Sequence, residues 1–552
     1  MIDSSWSRRR FLEMVGKAGG AAAVYETMVA LGLMRVPEAL AEPLRLPAGA
    51  GKGQKVLVLG AGVGGLAAAY ELLKGGYGVE ILEAAGRVGG RSYTVRKDDQ
   101  ILQIGRDPQT CHYEPPLYFN AGPGRIPYHH RAVIDYCKEL GVTLEIYVME
   151  TRANLFQSDG AFDKKAKANR RIANDTRGYI SELLAKAVNR GALDGELTKD
   201  DRQRLLELLV VFGQVKPDQQ YKYSGSSRSG YEIQPGVVTP GKIEKPLELN
   251  DLLASKFWQY RFYQPEDYLW QPTLFEPAGG MDQIVHAFAR EVEKLGGVIR
   301  KDSVVTHVET SHDGVKVAFQ NARTKQEESR TADYCVSNIP LPLLRRVICN
   351  NTFDEDFQRA VDAVPFAPTC KVAWLAEDRF WETKDEIYGG ISWINHPITQ
   401  FWYPSAGFFS QKGVLTGTYN YGETAEDFGR RSLHDRLLLA REGAEKLHPG
   451  FASHCPLDLG LSIAWHMVPH IEGGWADWTN SLEQKNAYQR LLLPDKRFWV
   501  CGDQISYLPG WQEGAVLSAQ HVVKGLAVRG KLEAAAPVEL YETPVSSLVT
   551  GG

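Results

Sequence analysis

Residues 55–91 read KVLVLGAGVGGLAAAYELLKGGYGVEILEAAGRVGGR, and this stretch decides the fold. Val56–Leu59 is apolar without alternation, as in a strand covered on both faces. Gly60, Gly62 and Gly65 follow in the spacing G-x-G-x-x-G. Leu66–Lys74 is a helix-forming run that stops at Gly75-Gly76, and Val79–Leu82 is a second strand ending on Glu83. Gly60 permits a tight turn, Gly62 lets the backbone approach a pyrophosphate, and Gly65 lets helix and strand pack closely. The free N–H groups of the helix's first turn face the anion. Glu83 falls about 20 residues beyond the first glycine, where an acid accepts hydrogen bonds from an adenosine ribose. The glycine spacing alone is weak evidence, and a bare βαβ core unit is the competing explanation. Strand, helix, second strand and terminal acid in this order select a dinucleotide site, and the acid favours FAD or NAD over NADP.

Gly86-Arg87-Val88-Gly89-Gly90-Arg91 is a second glycine-rich loop directly after the ribose acid. A solvated surface turn is one reading of it; a longer cofactor running on across the loop fits two arginines and three glycines better. At this point the sequence resembles the flavin-dependent amine oxidase family, whose members carry the glycine unit, the acid and then G-R-x-G-G-R, here with Thr94 just beyond. The resemblance covers most of Lys55–Leu526. It implies an α/β protein: a Rossmann-like FAD-binding domain in three pieces (54–125, 277–345 and 485–535), a helical insertion (126–245) and a mixed-sheet substrate domain (246–276 and 346–484). It implies FAD contacts at Gly60, Gly62, Gly64, Gly65, Glu83, Ala84, Gly90, Arg91 and Gly122.

The length of 552 residues allows two or three domains with large cores. A net charge of −4 argues against a nucleic-acid binder, which shows a basic footprint. No apolar run makes a good membrane span. The seven cysteines, Cys111, Cys137, Cys335, Cys349, Cys370, Cys455 and Cys501, form no CxxC pair and are odd in number. Buried free thiols are therefore expected, with no disulfide framework and no metal site. Residues 1–45 hold Ser7-Arg8-Arg9-Arg10-Phe11-Leu12, an apolar stretch and Ala39-Leu40-Ala41, which together read as a twin-arginine export signal with a cleavage site. Periplasmic or secreted location follows from that reading. The alternative is a retained N-terminal amphipathic helix on a cytoplasmic protein, supported by Glu13, Lys17 and Glu26 within the apolar run.

Further along, Lys164–Arg190 and Lys199–Val211 carry charge at helical spacing, and residues 214–246 read as a long loop rich in Gly, Ser, Pro and Tyr. Trp258, Tyr260, Phe262, Tyr263, Tyr268 and Trp270 form an aromatic cluster read mainly as core packing. A helix is expected from about Asp282 to Leu295, and strands at 297–299 and 303–308.

Four segments bear on chemistry. Gly122-Pro123-Gly124-Arg125-Ile126-Pro127 matches the G-x-x-R-x-P of L-amino acid oxidases, where the arginine binds the substrate α-carboxylate. A planar, permanently charged fork suits that task; a surface cation is the plain alternative. Lys371 lies inside an apolar strand, where a lysine is costly to bury without a partner. Resemblance places it near flavin N5 through a water; an edge lysine is the alternative. Tyr403, before Pro404, matches a tyrosine that adds a second hydrogen bond to the carboxylate, while the role of Trp402 stays open. Gly502-Asp503 and Gly510-Trp511-Gln512-Glu513-Gly514-Ala515 end a strand and begin a helix whose N–H groups face the flavin O2 edge. Resemblance then assigns Gly502, Asp503, Gln512, Ala515 and, near the adenine, Val305 to the cofactor. It assigns the Gly510 carbonyl to the substrate amine and Trp511 to the wall. The family's acid after that glycine is glutamate; here it is Asp503. Ile505–Leu508 lacks the cysteine of covalent members, so FAD is expected to bind non-covalently.

These readings converge on an L-amino acid oxidase acting on an L-amino acid and O2, with large apolar or aromatic side chains favoured and a homodimer expected. The rival readings are an amino-acid 2-monooxygenase, a monoamine or polyamine oxidase, and a non-catalytic FAD-loaded binding protein.

Overall fold

The computed structural model describes residues 44, 46, 47, 49–193 and 195–535. The export segment expected over residues 1–45 lies outside them, Leu44 excepted. In chain order come β1 (Lys55–Leu59), α1 (Val63–Lys74), β2 (Gly78–Leu82), β3 (Ile126–Pro127), α2 (Arg131–Glu139), β4 (Leu144–Tyr147), β5 (Leu155–Gln157) and β6 (Lys167–Ala168). Two long helices follow, α3 (Asn169–Asn189) and α4 (Lys199–Gly213). Next are β7 (Leu274–Pro277), α5 (Gln283–Lys294), β8 (Val298–Arg300), β9 (Ser303–Thr310), β10 (Val315–Asn321), β11 (Glu327–Ala332) and β12 (Tyr334–Ser337). The last group is β13 (Thr369–Ala376), β14 (Gly390–Ile394), β15 (Gln400–Tyr403), β16 (Gly413–Tyr421), β17 (Leu461–Ala464), β18 (Phe498–Val500) and α6 (Gln512–Ala535).

One sheet has the order β8-β2-β1-β12-β18 with every pair parallel. Its strands come from distant parts of the chain, and its buried residues are apolar throughout β1 and β12 apart from Ser337. This is the doubly wound arrangement that places ligands at the carboxyl ends of the strands. Helix α1 starts at Val63, earlier than the helix-forming run at Leu66 implies. Gly64 and Gly65 therefore sit inside its first turn. A β-carbon at Gly65 would lie 2.0 Å from the Gly60 carbonyl oxygen, so this close crossing needs glycine.

The second sheet has the order β6-β5-β14-β15-β16-β13-β17, antiparallel except for β5 with β14. A third, small sheet runs β3-β7-β4. The stretch 214–246 is not a bare loop. It contains a two-stranded ribbon, Tyr231–Ile233 with Lys242–Ile243, and it is tied to α3 by the buried Asp175. That carboxylate accepts hydrogen bonds from the Tyr223 hydroxyl (2.6 Å), the Ser229 hydroxyl (2.6 Å) and the Leu247 N–H (2.8 Å). The aromatic run 258–270 is also less of a core than expected. Phe262 is buried, but Trp258, Tyr263 and Tyr268 are exposed. All seven cysteines are free. Among the described residues no helix is long and apolar enough to cross a membrane, and no group of His, Cys, Asp and Glu is gathered as for a metal.

Candidate active site

A cavity of about 1560 Å³, its open mouth included, runs from the carboxyl ends of β1 and β2 to the buried face of β13. At the first end, Glu83 is buried, and its two carboxylate oxygens accept the N–H groups of Ala61 (2.7 Å) and Ala85 (2.8 Å). Burial raises its pKa, partly offset by those two N–H groups and Arg87. Gly60, Gly62, Gly64, Glu83, Ala84, Gly90, Arg91, Gly122 and Val305 all line the cavity, as expected. The first turn of α1 has no side-chain cap, which leaves its N–H groups for an anion. A β-carbon at Gly122 would lie 1.8 Å from the Arg91 carbonyl oxygen. The narrow, glycine-lined channel with an acid at its ribose end fits FAD. None of the seven cysteines lines the cavity, in keeping with non-covalent binding.

Of the residues expected at the cofactor, Gly65 and Gly502 do not themselves line the cavity. Gly65 serves the α1–β1 crossing, and Gly502 packs beneath Asn338, where a β-carbon would lie 2.5 Å from its side-chain oxygen. Asn338 itself lines the cavity, between Gly62, Gly64 and Gly502, and the sequence reading passed over it. Its signal was position: a polar residue just after an apolar parallel strand. Asp503 also lines the cavity, but much of its carboxylate is engaged. Both oxygens take hydrogen bonds from the Arg91 guanidinium, and Oδ2 also accepts the Gly510 N–H at 2.8 Å. Arg91 donates as well to the Gly474 carbonyl (2.6 Å). This pair joins the 86–91 loop to the turn before α6. The Gln512 amide donates to the Ser92 hydroxyl (2.9 Å), and the Glu513 carboxylate accepts the N–H groups of Ala132 and Val133 at the start of α2.

At the other end, Lys371 projects from β13 with 3% of its surface exposed. Its Nζ donates to the carbonyls of Asn120 (3.1 Å) and Gly122 (2.6 Å) and lies 4.6 Å from the centre of the Trp402 ring system and 5.2 Å from that of Tyr419. Burial, reinforced by the neighbouring Arg125, lowers its pKa to about 7. Trp475, Gly510, Trp511, Gln512 and Ala515 complete this end. Trp511 meets His130 edge-on (5.0 Å between rings) and faces Trp270 at 6.0 Å. Thus part of the 258–270 segment borders the site.

Arg125 is half-buried and does not turn out to solvent. It does not itself line the cavity; its guanidinium carbon lies 4.9 Å from the Trp402 ring system and 5.7 Å from the Tyr147 ring. Its charge reaches Lys371 and the cavity-lining Tyr419. Among the described residues no carboxylate pairs with it; its buried Nε has no hydrogen-bond partner, while its guanidinium interacts with the Tyr147 hydroxyl.

Tyr403 is the clear correction. Its hydroxyl is fully buried on the far face of the second sheet, bonded to His448 Nε2 (2.6 Å) and the Ser392 hydroxyl (2.8 Å). His448 in turn contacts Asp385 at 3.0 Å. Neighbouring residues of a strand face opposite ways, so Trp402, not Tyr403, meets Arg125 and Lys371. Tyr403→Phe is expected to destabilise the fold by about 1–3 kcal/mol and to leave KM unchanged, which thermal melting and steady-state kinetics would show.

The comparisons with known proteins agree with this geometry. The sequence model described as flavin containing amine oxidoreductase matches residues 63–526. The chain therefore belongs to the flavin-containing amine oxidoreductase family, and its cofactor is FAD. It is 26% identical over 512 residues to the flavin-dependent L-tryptophan oxidase RebO of Lentzea aerocolonigenes, covering 86% of this chain and 98% of that one. It is 24% identical over 473 residues to the L-amino acid oxidase bordonein-L of Crotalus durissus terrificus, covering 84% and 85%. Among solved structures, a putrescine oxidase bound to putrescine superposes with a TM-score of 0.56 at 17% identity, over 86% of this chain and 99% of that one, which supports the fold alone.

Proposed function

We propose that the protein is an L-amino acid oxidase: L-amino acid, O2 and water give 2-oxo acid, ammonia and hydrogen peroxide. The observation that carries this reading is Arg125, a half-buried guanidinium whose charge reaches the cavity-lining Lys371 and which, among the described residues, pairs with no carboxylate. An amine without a carboxylate leaves that cation unpaired, and an unpaired buried charge is costly. FAD, when bound, supplies the two-electron acceptor and returns the pair to O2. The chain's own residues do the rest. Arg125 holds the α-carboxylate, the aromatic wall of Trp475 and Trp511 fixes the amine end, and the Cα–H bond is thereby aimed at the cofactor. The Cα–H hydrogen leaves with its bonding pair, the amine nitrogen loses a proton, and the resulting imino acid takes up water. The aromatic lining and the tryptophan-oxidising relative support large apolar or aromatic side chains. Export of the folded, FAD-loaded chain and a homodimer belong to the same proposal.

Lys371 is read as assisting the oxygen step as a cation. With a pKa of about 7 it is an ammonium below that value and neutral above it. The oxygen-dependent rate constant should therefore be highest on the acid side and fall as pH rises through about 7. Lys371→Met should be about a hundredfold slower and flat with pH, as stopped-flow reoxidation would show. The product test for the whole reading is direct. An oxidase yields 2-oxo acid and peroxide in equal amounts; amide and carbon dioxide would instead mark a monooxygenase.

A further inference from the structure

The cofactor's pyrophosphate carries negative charge, yet the cavity offers it no free cation. Among the described residues three cationic side chains line the cavity, Arg91, Arg346 and Lys371. Arg91 is engaged by Asp503 and the Gly474 carbonyl. Arg346 is held by Glu472, whose two oxygens accept from its two terminal nitrogens (3.0 and 2.7 Å). Lys371 lies at the other end, on the Asn120 and Gly122 carbonyls. Burial lowers the pKa of His470, also in the lining, and keeps that ring neutral. The anion is therefore left to uncharged donors: the first-turn N–H groups of α1 and a side chain set against them, Asn338.

Asn338 directly follows β12, which lies between β1 and β18 in the parallel sheet, so it stands at the ligand edge of the fold. Its main chain is fixed. The Asn338 N–H donates to the Leu59 carbonyl (2.7 Å). The buried Gln504 side chain ties the same turn to the end of β18: it donates to the Ile339 and Cys501 carbonyls (both 3.0 Å) and accepts the Leu341 N–H (2.9 Å). Three glycines clear space for the carboxamide. A β-carbon would lie 2.6 Å from its Nδ2 at Gly62, 3.0 Å from its Oδ1 at Gly64 and 2.5 Å from that oxygen at Gly502. Among the described residues Asn338 makes only its main-chain hydrogen bond, so the carboxamide faces the channel with its donors unused. We propose that Asn338 Nδ2 donates to the pyrophosphate of FAD, and that this contact retains the cofactor where no cation does. The assignment concerns the cofactor and is independent of the reading of Arg125.

The test measures FAD dissociation from the holoenzyme by ultrafiltration of diluted samples, with melting curves to show that each variant is folded. Asn338→Leu keeps the volume between the glycines and removes the donor; it should hold FAD about tenfold more weakly. Asn338→Ala removes the donor without adding bulk and should match Asn338→Leu within about threefold. Asn338→Asp keeps the shape but sets a carboxylate against the pyrophosphate, and should weaken binding at least about a hundredfold. Wild-type affinity in Asn338→Leu would make the side chain a spacer between glycines and overturn the assignment. Wild-type affinity in Asn338→Ala or Asn338→Asp, or equal losses in Asn338→Leu and Asn338→Asp, would overturn it as well.

Discussion

Arg125→Ala is expected to lower kcat/KM for L-amino acids by about 10²–10³-fold, the loss of about 3–4 kcal/mol that removing one partner of a buried charge pair brings. Among the described residues the guanidinium has no carboxylate to hold, and its Nε is buried without a partner. Its position against Trp402 and Tyr147 keeps the fork oriented before substrate arrives. Most of the loss should appear in KM, because carboxylate binding is made in the ground state as well as the transition state. A smaller fall in kcat should accompany it as the Cα–H bond loses its aim. A decarboxylated amine should show no comparable loss. Steady-state kinetics with a matched amino acid and amine would reveal the difference.

Gly65→Val should purify colourless. A β-carbon at this position falls 2.0 Å from the Gly60 carbonyl oxygen and 3.3 Å from Val58. The first neighbour is backbone and cannot swing aside as a flexible side chain would. The start of α1 must therefore move off β1, and with it the N–H groups that face the pyrophosphate. Overpacking alone costs about 1–3 kcal/mol, so folding should survive with a lowered Tm while FAD is lost. Flavin absorbance per protein and a melting curve taken with and without added FAD separate the two effects. Full flavin content in this variant would contradict the placement of α1.

The parts of the site that were legible in the sequence are local. The 55–91 stretch carries its strand, turn, helix and acid within one contiguous run, and Gly65 meets Gly60 and Val58 only a few residues away. Lys371 was legible because a charge inside an apolar strand is conspicuous. Tyr403 was misplaced for a reason specific to strands: a one-residue shift moves a side chain to the other face, and only the pairing of β15 with its neighbours shows that Trp402 looks inward. Tyr147 and Tyr419 carry no local mark. Tyr419 reaches the site because it pairs with Lys371 between β16 and β13, and Tyr147 reaches Arg125 because β7 lies between β3 and β4. Such long-range registers are not written in any short window. The stretch 214–246 looked like a loop from its composition, yet one buried carboxylate, Asp175, organises much of it.

The central claim is that a fixed guanidinium selects an acid-bearing amine. Its most direct test is anaerobic flavin bleaching of the wild-type protein by an L-amino acid and by the amine left after its decarboxylation. The account predicts rapid bleaching by the amino acid and a reduction rate at least about a hundredfold lower for the amine at equal concentration. Equal rates, or faster bleaching by the amine, would contradict it.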